Sequence, residues 1–210
     1  MRKSGSGLDT DTGMGLTTFS GLTLETAPGR VMTPRRTSER LVAAACACIQ
    51  GPARVADVGT GSGALAIAIA HRSPQAEVWA TDIDERAVVL ARANVARLGL
   101  TDRVLVRLGD LLEPVPGPVD VVVANLPYLA ARVASEYPDL AAEPFSSVYA
   151  EGDGLHPYRR LLASARAKLA PEGTLLLQLH GQVVVANRAE LLPLSATLPT
   201  RAEAAARLAA

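Results

Sequence analysis

Residues 55–70 read VADVGTGSGALAIAIA, and the rest of the chain is legible outward from them. Arg54 to Val58 is short, apolar and β-branched, with an acid at Asp57. Gly59, Gly61 and Gly63 follow at every second position, and Leu65 to Ala70 is small and aliphatic. The pattern predicts a buried strand over Arg54–Val58, a glycine turn, and a helix from about Ser62 to Arg72. Glycines let the backbone turn sharply and let a ligand approach closely. The first turn of the helix adds unpaired N–H groups and the positive end of its dipole. Such a strand–loop–helix is the cofactor-binding corner of a doubly wound α/β sheet.

The loop spacing is G-x-G-x-G, not the G-x-G-x-x-G of a dinucleotide site, and no Lys follows to make a P-loop. Glu77 to Thr81 is predicted as the second strand, ending at Asp82-Ile83-Asp84. Asp82 lies about 20 residues beyond the loop, where a Rossmann site keeps the acid that accepts from two ribose hydroxyls. Either acid could instead cap the next helix; Asp84 is the better placed, which leaves Asp82 for the ribose. That helix is expected over Glu85–Leu98, closed by Gly99. Arg103 to Leu108 is the third strand, followed by Gly109-Asp110-Leu111 on the edge that carries the ligand. Asp110 could accept from the amine of an adenine with Leu111 packed on the ring, or be a plain turn acid. Asp120 to Ala124 is a valine-rich fourth strand suited to a central position, and Asn125-Leu126-Pro127-Tyr128 stands at its mouth.

At 210 residues the chain has room for one α/β domain with a sizeable core. Lys+Arg and Asp+Glu both number 21, which argues against a general polyanion binder. Residues 1–22 read as a flexible polar arm and residues 23–210 as a single domain, with Thr23 to Thr33 extended or a short hairpin. A helix is expected over Ser38–Gln50, capped by Thr37 or Ser38. Arg35 and Arg36 before it read as a solvated pair, with a lid or substrate contact as the alternative. Cys46 and Cys48 sit in an apolar helical run without partners and read as small core residues. His71, His156 and His180 make no metal constellation. Phe145 and Tyr149 either wall a substrate pocket or pack their loop down. No signal-peptide core or membrane-length apolar run is present, so the expected location is cytoplasmic.

The segments D-V-G-T-G-S-G, T-D-I-D, G-D-L-L and A-N-L-P-Y, in that order, resemble a Rossmann-like methyltransferase of the amino-methylating group. That group uses S-adenosylmethionine and carries an (N/D/S)-P-P-(Y/F) tetrapeptide after its fourth strand. The wider pattern is similar to the HemK/PrmC family of protein-glutamine N5-methyltransferases. TPRRTSERLV resembles its P-R-P-x-[ST]-E segment, and Ala150 to Leu155 with Tyr158-Arg159 resemble its G-G-x-D-G-L-x-x-Y-R stretch. The match runs over roughly residues 25–181. It implies a mostly parallel sheet with helices on both faces. It also implies a donor site at Asp57, Gly59, Thr60, Gly61, Ser62, Gly63, Asp82, Asp110, Leu111 and Asn125. The acceptor site would be Asn125, Leu126, Pro127 and Tyr128, and the protein acceptor a release factor or ribosomal protein.

A carboxamide nitrogen is a poor nucleophile, because its lone pair is delocalised into the carbonyl. Two acceptors on its N–H groups can orient it toward an activated methyl, and Asn125 Oδ1 and the Leu126 carbonyl are the candidates. Tyr128 can pack on the flat amide, and alignment in a dry pocket supplies most of the catalysis. Three features depart from the family. Leu126 stands where the family has its first proline. Where the family's bacterial members carry an N-terminal helical substrate domain, this sequence is expected to have only its polar arm. The residues after Gly181 offer Val183 to Leu192, a break at Pro193 and an Ala-rich helical run from about Arg201. No two strands are evident there, so the terminal hairpin is expected to be absent or altered, and a small activating subunit could cover the exposed edge. Two other functions stay open: methylation of an exocyclic amine of RNA or DNA, and a degenerate, non-catalytic homologue.

Overall fold

The computed structural model of the chain describes residues 13–199. A hairpin opens it, β1 (Gly15–Phe19) and β2 (Leu22–Thr26), with Phe19 paired to Leu22 across the turn. The hairpin overlaps the end of the segment expected to be a polar arm; residues 1–12 lie outside the described residues. Phe19 and Leu24, both buried, anchor it to the body. Helix α1 (Glu39–Cys48) follows, after a single 3-10 turn over Arg36–Ser38.

The central sheet is built next. In chain order come β3 (Ala53–Val58), α2 (Ala64–Arg72), β4 (Ala76–Asp82), α3 (Glu85–Arg97), β5 (Val104–Leu108) and β6 (Val119–Ala124). A short parallel pair, β7 (Leu129–Ala130) and β8 (Tyr149–Ala150), brackets a loop that includes α4 (Phe145–Val148). Helix α5 (His156–Lys168), β9 (Leu169–Leu179), β10 (Gln182–Asn187) and α6 (Leu191–Thr197) complete the described chain. The sheet order is β10-β9-β6-β3-β4-β5, parallel throughout except for β10, which runs antiparallel to β9.

The expected doubly wound sheet is therefore present. β6 lies between β3 and β9, and Val121 to Ala124 are buried, as a valine run covered on both faces requires. One core cluster packs α1, α2 and α3 on one face; the other packs α5 and α6 on the opposite face. Each Val or Leu buried there contributes roughly 1.5–3 kcal/mol relative to exposure. The order reverses between β3 and β6, so their carboxyl ends diverge into a crevice.

In the stretch after Gly181, where no two strands are evident from the sequence, Gln182–Asn187 is a strand, closed onto β9 by a tight turn at His180 and Gly181, both in the left-handed region. Three consecutive valines favour the pleated edge over a helical stripe. Among the described residues, one strand, β10, follows β9. The run from Arg201 lies outside the described residues. The core reading of the cysteines is corrected for Cys48 alone: it is exposed, whereas Cys46 is half-buried and packs against the core. No described helix is long and apolar enough to cross a membrane.

Candidate functional site

The glycine loop is pinned by backbone bonds: the Gly59 and Thr60 N–H groups both donate to the Thr81 carbonyl at 2.9 Å. Gly59 has φ 72°, which favours glycine, and a Cβ there would lie 2.6 Å from Leu126 Cδ2 and push that side chain off the loop. A Cβ at Gly61 would meet nothing within 4 Å, because this part of the loop faces open space. That space is a cleft lined by Gly59, Gly61, Asp82, Asp110, Leu111, Asn125, Leu126 and Pro127. The structure thus gathers most of the anticipated residues at the carboxyl ends of the strands.

Asp82 ends β4 and lines the cleft. Its Oδ2 accepts from Gly61 N at 2.8 Å and its Oδ1 from Asp84 N at 3.0 Å. Each oxygen keeps a second lone pair that a diol can use. Burial raises its pKa, against the lowering pull of those N–H groups. Asp84 caps α3, accepting from Arg86 N at 2.9 Å. Asp110 lies in the cleft wall, where its carboxylate is held by the Arg160 guanidinium of α5. Leu111, at φ 48°, turns its carbonyl to the Thr81 hydroxyl at 2.7 Å.

Asp57 is placed differently from the other acids. It is fully buried and does not line the cleft. Oδ2 accepts from the Thr60 hydroxyl at 2.6 Å and from Ala66 N, in the first turn of α2, at 3.1 Å. Oδ1 has no partner, and burial pushes the pKa up to about 6. Asp57 therefore braces the loop from behind, tying Thr60 to the first turn of α2. Thr60 and Ser62 line a smaller cavity on the other side of the loop, with Arg35 and Ser38.

Asn125 stands where the spaces meet. It lines the cleft, the smaller cavity and a third cavity bounded by Ser38, Tyr128, Leu140 and Gln178. Its Nδ2 donates to the Ser38 hydroxyl at 3.3 Å, which leaves Oδ1 without a partner among the described residues. Leu126 packs its side chain over Gly59, and its carbonyl accepts from the buried Tyr158 hydroxyl at 2.9 Å. Tyr128 lies edge-on to His180, with ring centroids 4.9 Å apart. Burial raises its pKa.

Several residues here escape a sequence reading. Ser38 makes no capping bond to α1; it is buried and turned to Asn125. Met32 touches all three spaces and Arg35 two of them. Arg35 is also 4.0 Å from Glu143, which accepts from Thr33 N at 3.1 Å, so the segment before α1 and the loop after β7 are clasped together. Arg35 is thus a wall of the site, while Arg36 stays exposed. Gly154, at φ 90°, lies under the acceptor motif: a Cβ there would be 2.5 Å from the Tyr128 carbonyl oxygen and 2.8 Å from Ala130 N. The glycine of the E-G-D-G-L stretch is therefore a packing requirement of N-L-P-Y. Phe145 and Tyr149 stack at 4.7 Å and hold the loop down.

The family described as ribosomal protein L11 methyltransferase (PrmA) matches residues 36–146, more than half of the chain. The chain belongs to that methyltransferase family. The chain is also similar to proteins named release factor glutamine methyltransferase, so the HemK/PrmC resemblance is borne out. The protein of that name from Gloeobacter violaceus is 40% identical over 171 residues, covering 79% of this chain and 59% of the relative. Its counterpart from Deinococcus radiodurans is 41% identical over 170 residues, covering 79% and 60%. The chain thus spans about three-fifths of the length of these relatives. Its fold is that of the ribosomal protein L11 methylase structure from Lactobacillus delbrueckii subsp. bulgaricus, at TM-score 0.51, 24% identity, and coverage of 70% of this chain and 62% of that one. S-adenosylmethionine is the methyl donor of this family. The cleft fits it: open backbone at Gly61, a carboxylate at Asp82 for a diol, and apolar Leu111 beside Asp110 for a ring.

Proposed function

We propose that the chain transfers a methyl group from S-adenosylmethionine to the side-chain nitrogen of a glutamine in a protein, a release factor being the acceptor its relatives' names suggest. The observation that carries this is Asn125: it lines both cavities, its amide nitrogen is tied to Ser38, and its oxygen keeps its accepting capacity. When bound, the donor supplies a sulfonium methyl already activated by its positive charge. Gly59, Thr60, Gly61, Ser62 and Gly63 shape its bed, with Asp57 bracing them; Asp82 takes the diol, and Asp110 and Leu111 take the ring.

Asn125 Oδ1 accepts from one N–H of the acceptor carboxamide and turns the nitrogen toward the donor cleft. The Leu126 carbonyl, already an acceptor for Tyr158, keeps one lone pair for the same nitrogen. Pro127 stiffens the turn and Tyr128 packs on the flat group. No base is needed before transfer; the surplus proton leaves the nitrogen once the new C–N bond has formed. The edge of β10, with Val185 57% exposed, is where a small activating subunit would dock.

The test is transfer of tritiated methyl groups into release factor, ribosomal protein and RNA, with Asn125→Ala alongside. Label at glutamine in a protein, reduced on the order of a hundredfold in the variant with donor affinity kept, is expected. Label in RNA, or full turnover by the variant, overturns the assignment.

A further inference from the structure

Arg35 leads into the 3-10 turn before α1 and lines both the smaller cavity and the acceptor cavity. Among the described residues its guanidinium makes no hydrogen bond; the ion pair with Glu143, at 4.0 Å, is too long to be one. The N–H donors of the fork are therefore left for a ligand. Glu143 itself is anchored, since one of its oxygens accepts from Thr33 N at 3.1 Å. It holds the arginine in place without engaging it. Burial raises the pKa of Tyr128 and the Arg35 charge opposes that rise, so the charge is turned toward the site.

The smaller cavity meets the donor cleft at the glycine loop, where Met32, Gly59, Gly61 and Asn125 line both. Their charges differ. Asp82, Asp84 and Asp110 line the cleft, whereas the described lining of the smaller cavity is uncharged except for Arg35. S-adenosylmethionine has a matching asymmetry. Its diol and its adenine amine donate hydrogen bonds and suit acids. Its amino-acid tail ends in a carboxylate, which acids repel. A carboxylate drawn out of water needs a charged partner or several N–H donors, and a guanidinium is both.

We propose that Arg35 is a donor-binding residue whose guanidinium holds the carboxylate of the amino-acid tail, which reaches it past Gly61 through the smaller cavity. The inference concerns the methyl donor and does not depend on which acceptor is methylated. Asp82 and Arg35 then grip the donor from opposite sides of the glycine loop, the diol on one and the carboxylate on the other.

The experiment is calorimetric titration of the chain with two thioethers. One is S-adenosylhomocysteine; the other is S-adenosyl-3-thiopropylamine, which keeps the adenosine, the sulfur and the ammonium but has no carboxylate. The wild type should prefer the first on the order of ten- to a hundredfold. Arg35→Met should lose most of that preference by binding the first more weakly, with its affinity for the amine no lower than that of the wild type. Arg35→Lys, which keeps the charge, should discriminate better than Arg35→Met. Arg36→Met, one residue on and outside the described lining of both cavities, should discriminate as the wild type does. An Arg35→Met protein with the wild-type preference overturns the role of Arg35. An equal loss in Arg36→Met overturns it too, because the charge would then act as a distant field and not through contact. Should Arg35→Met not fold, a wild type that binds both thioethers alike overturns it equally. A wild type that binds neither overturns the placement of the donor in the cleft.

Discussion

The donor cleft and the acceptor cavity share Asn125, yet they are chemically opposite. Asp82, Asp84 and Asp110 line the cleft, whereas the described lining of the acceptor cavity has amides, hydroxyls, apolar groups and one arginine. Acids suit a ligand with a diol and a positive charge. Neutral amides suit a planar neutral acceptor, since a buried cation would need a compensating charge. The two regions also differ in construction. The floor of the cleft is local, with its loop, β4 and α3 contiguous between Val58 and Arg97, and Asp110, Leu111 and Asn125 to Pro127 wall it in. The cavity is assembled from Ser38, Asn125, Gln178 and the Thr33–Glu143 clasp, which are distant in sequence.

If the cleft is one tightly held unit, its strongest joint is Asn94. This residue is fully buried on α3; it donates to the Glu25 and Ser62 carbonyls, each at 3.0 Å, and accepts from Glu25 N at 2.7 Å. Asn94→Leu strands three backbone groups, and the expected loss is about 4 kcal/mol of stability in chemical denaturation. A loss below about 1 kcal/mol would mean that hairpin, helix and loop are not coupled.

Asp57 gives the next largest effect, and its sign depends on pH. Its pKa is raised from 3.8 to about 6, chiefly by burial, so the folded state binds the proton more tightly than the unfolded one. Its contribution is favourable below pH 4 and is lost as pH rises through about 6, by up to about 3 kcal/mol. Asp57→Asn keeps a hydrogen-bonding group without the charge. It should raise the stability at pH 7 and match the wild type near pH 4. A destabilised variant at pH 7 would show that the α2 N-terminus and Thr60 outweigh the burial of the charge.

Gly154 and Gly59 separate the two regions directly. Gly154→Ala drives a Cβ into the backbone under Tyr128, and transfer should fall on the order of a hundredfold with donor affinity nearly unchanged. Gly59→Ala meets only the tip of Leu126 but must hold a positive φ, so donor affinity should drop roughly tenfold. Equal losses of donor binding in both variants would mean that cleft and cavity move as one body.

The same contrast explains what the sequence made legible. The strand–glycine–helix pattern, the acids at Asp82 and Asp84 and the valine-rich β6 are local signals with a fixed period or spacing, and each element formed within two residues of its expected bounds. Ser38 looked like a helix cap because a Ser before a helix has that local use; its bond to Asn125 spans 87 positions. Gln178 and Asn94 looked unremarkable because burial of a polar side chain is decided by packing, not by its neighbours in sequence. Val89 is the converse, an apolar α3 residue left 61% exposed. β10 was not evident from the sequence, because its β-branched run pairs only once a turn of two left-handed residues folds it back onto β9.

The smallest expected effect concerns Arg160, the one basic side chain among the described residues lining the acidic cleft. Arg160 projects from α5 onto Asp110, and both side chains are partly solvated, at 48% and 26% exposure. An ion pair so exposed contributes less than about 1 kcal/mol to folding, because solvent screens it. Arg160→Met should therefore leave the melting temperature within a few degrees of the wild type. Its effect should fall on the donor instead. Asp110 has two oxygens, and the guanidinium holds one of them, so a ring amine must share the carboxylate with Arg160 or displace it. Removing the guanidinium frees both oxygens and should tighten donor binding by a few-fold, read by calorimetry and lost again in Arg160→Met/Asp110→Asn. Weaker binding in Arg160→Met would reverse the assignment, making Arg160 part of the wall that grips the ring and Asp110 the residue that holds Arg160 in place.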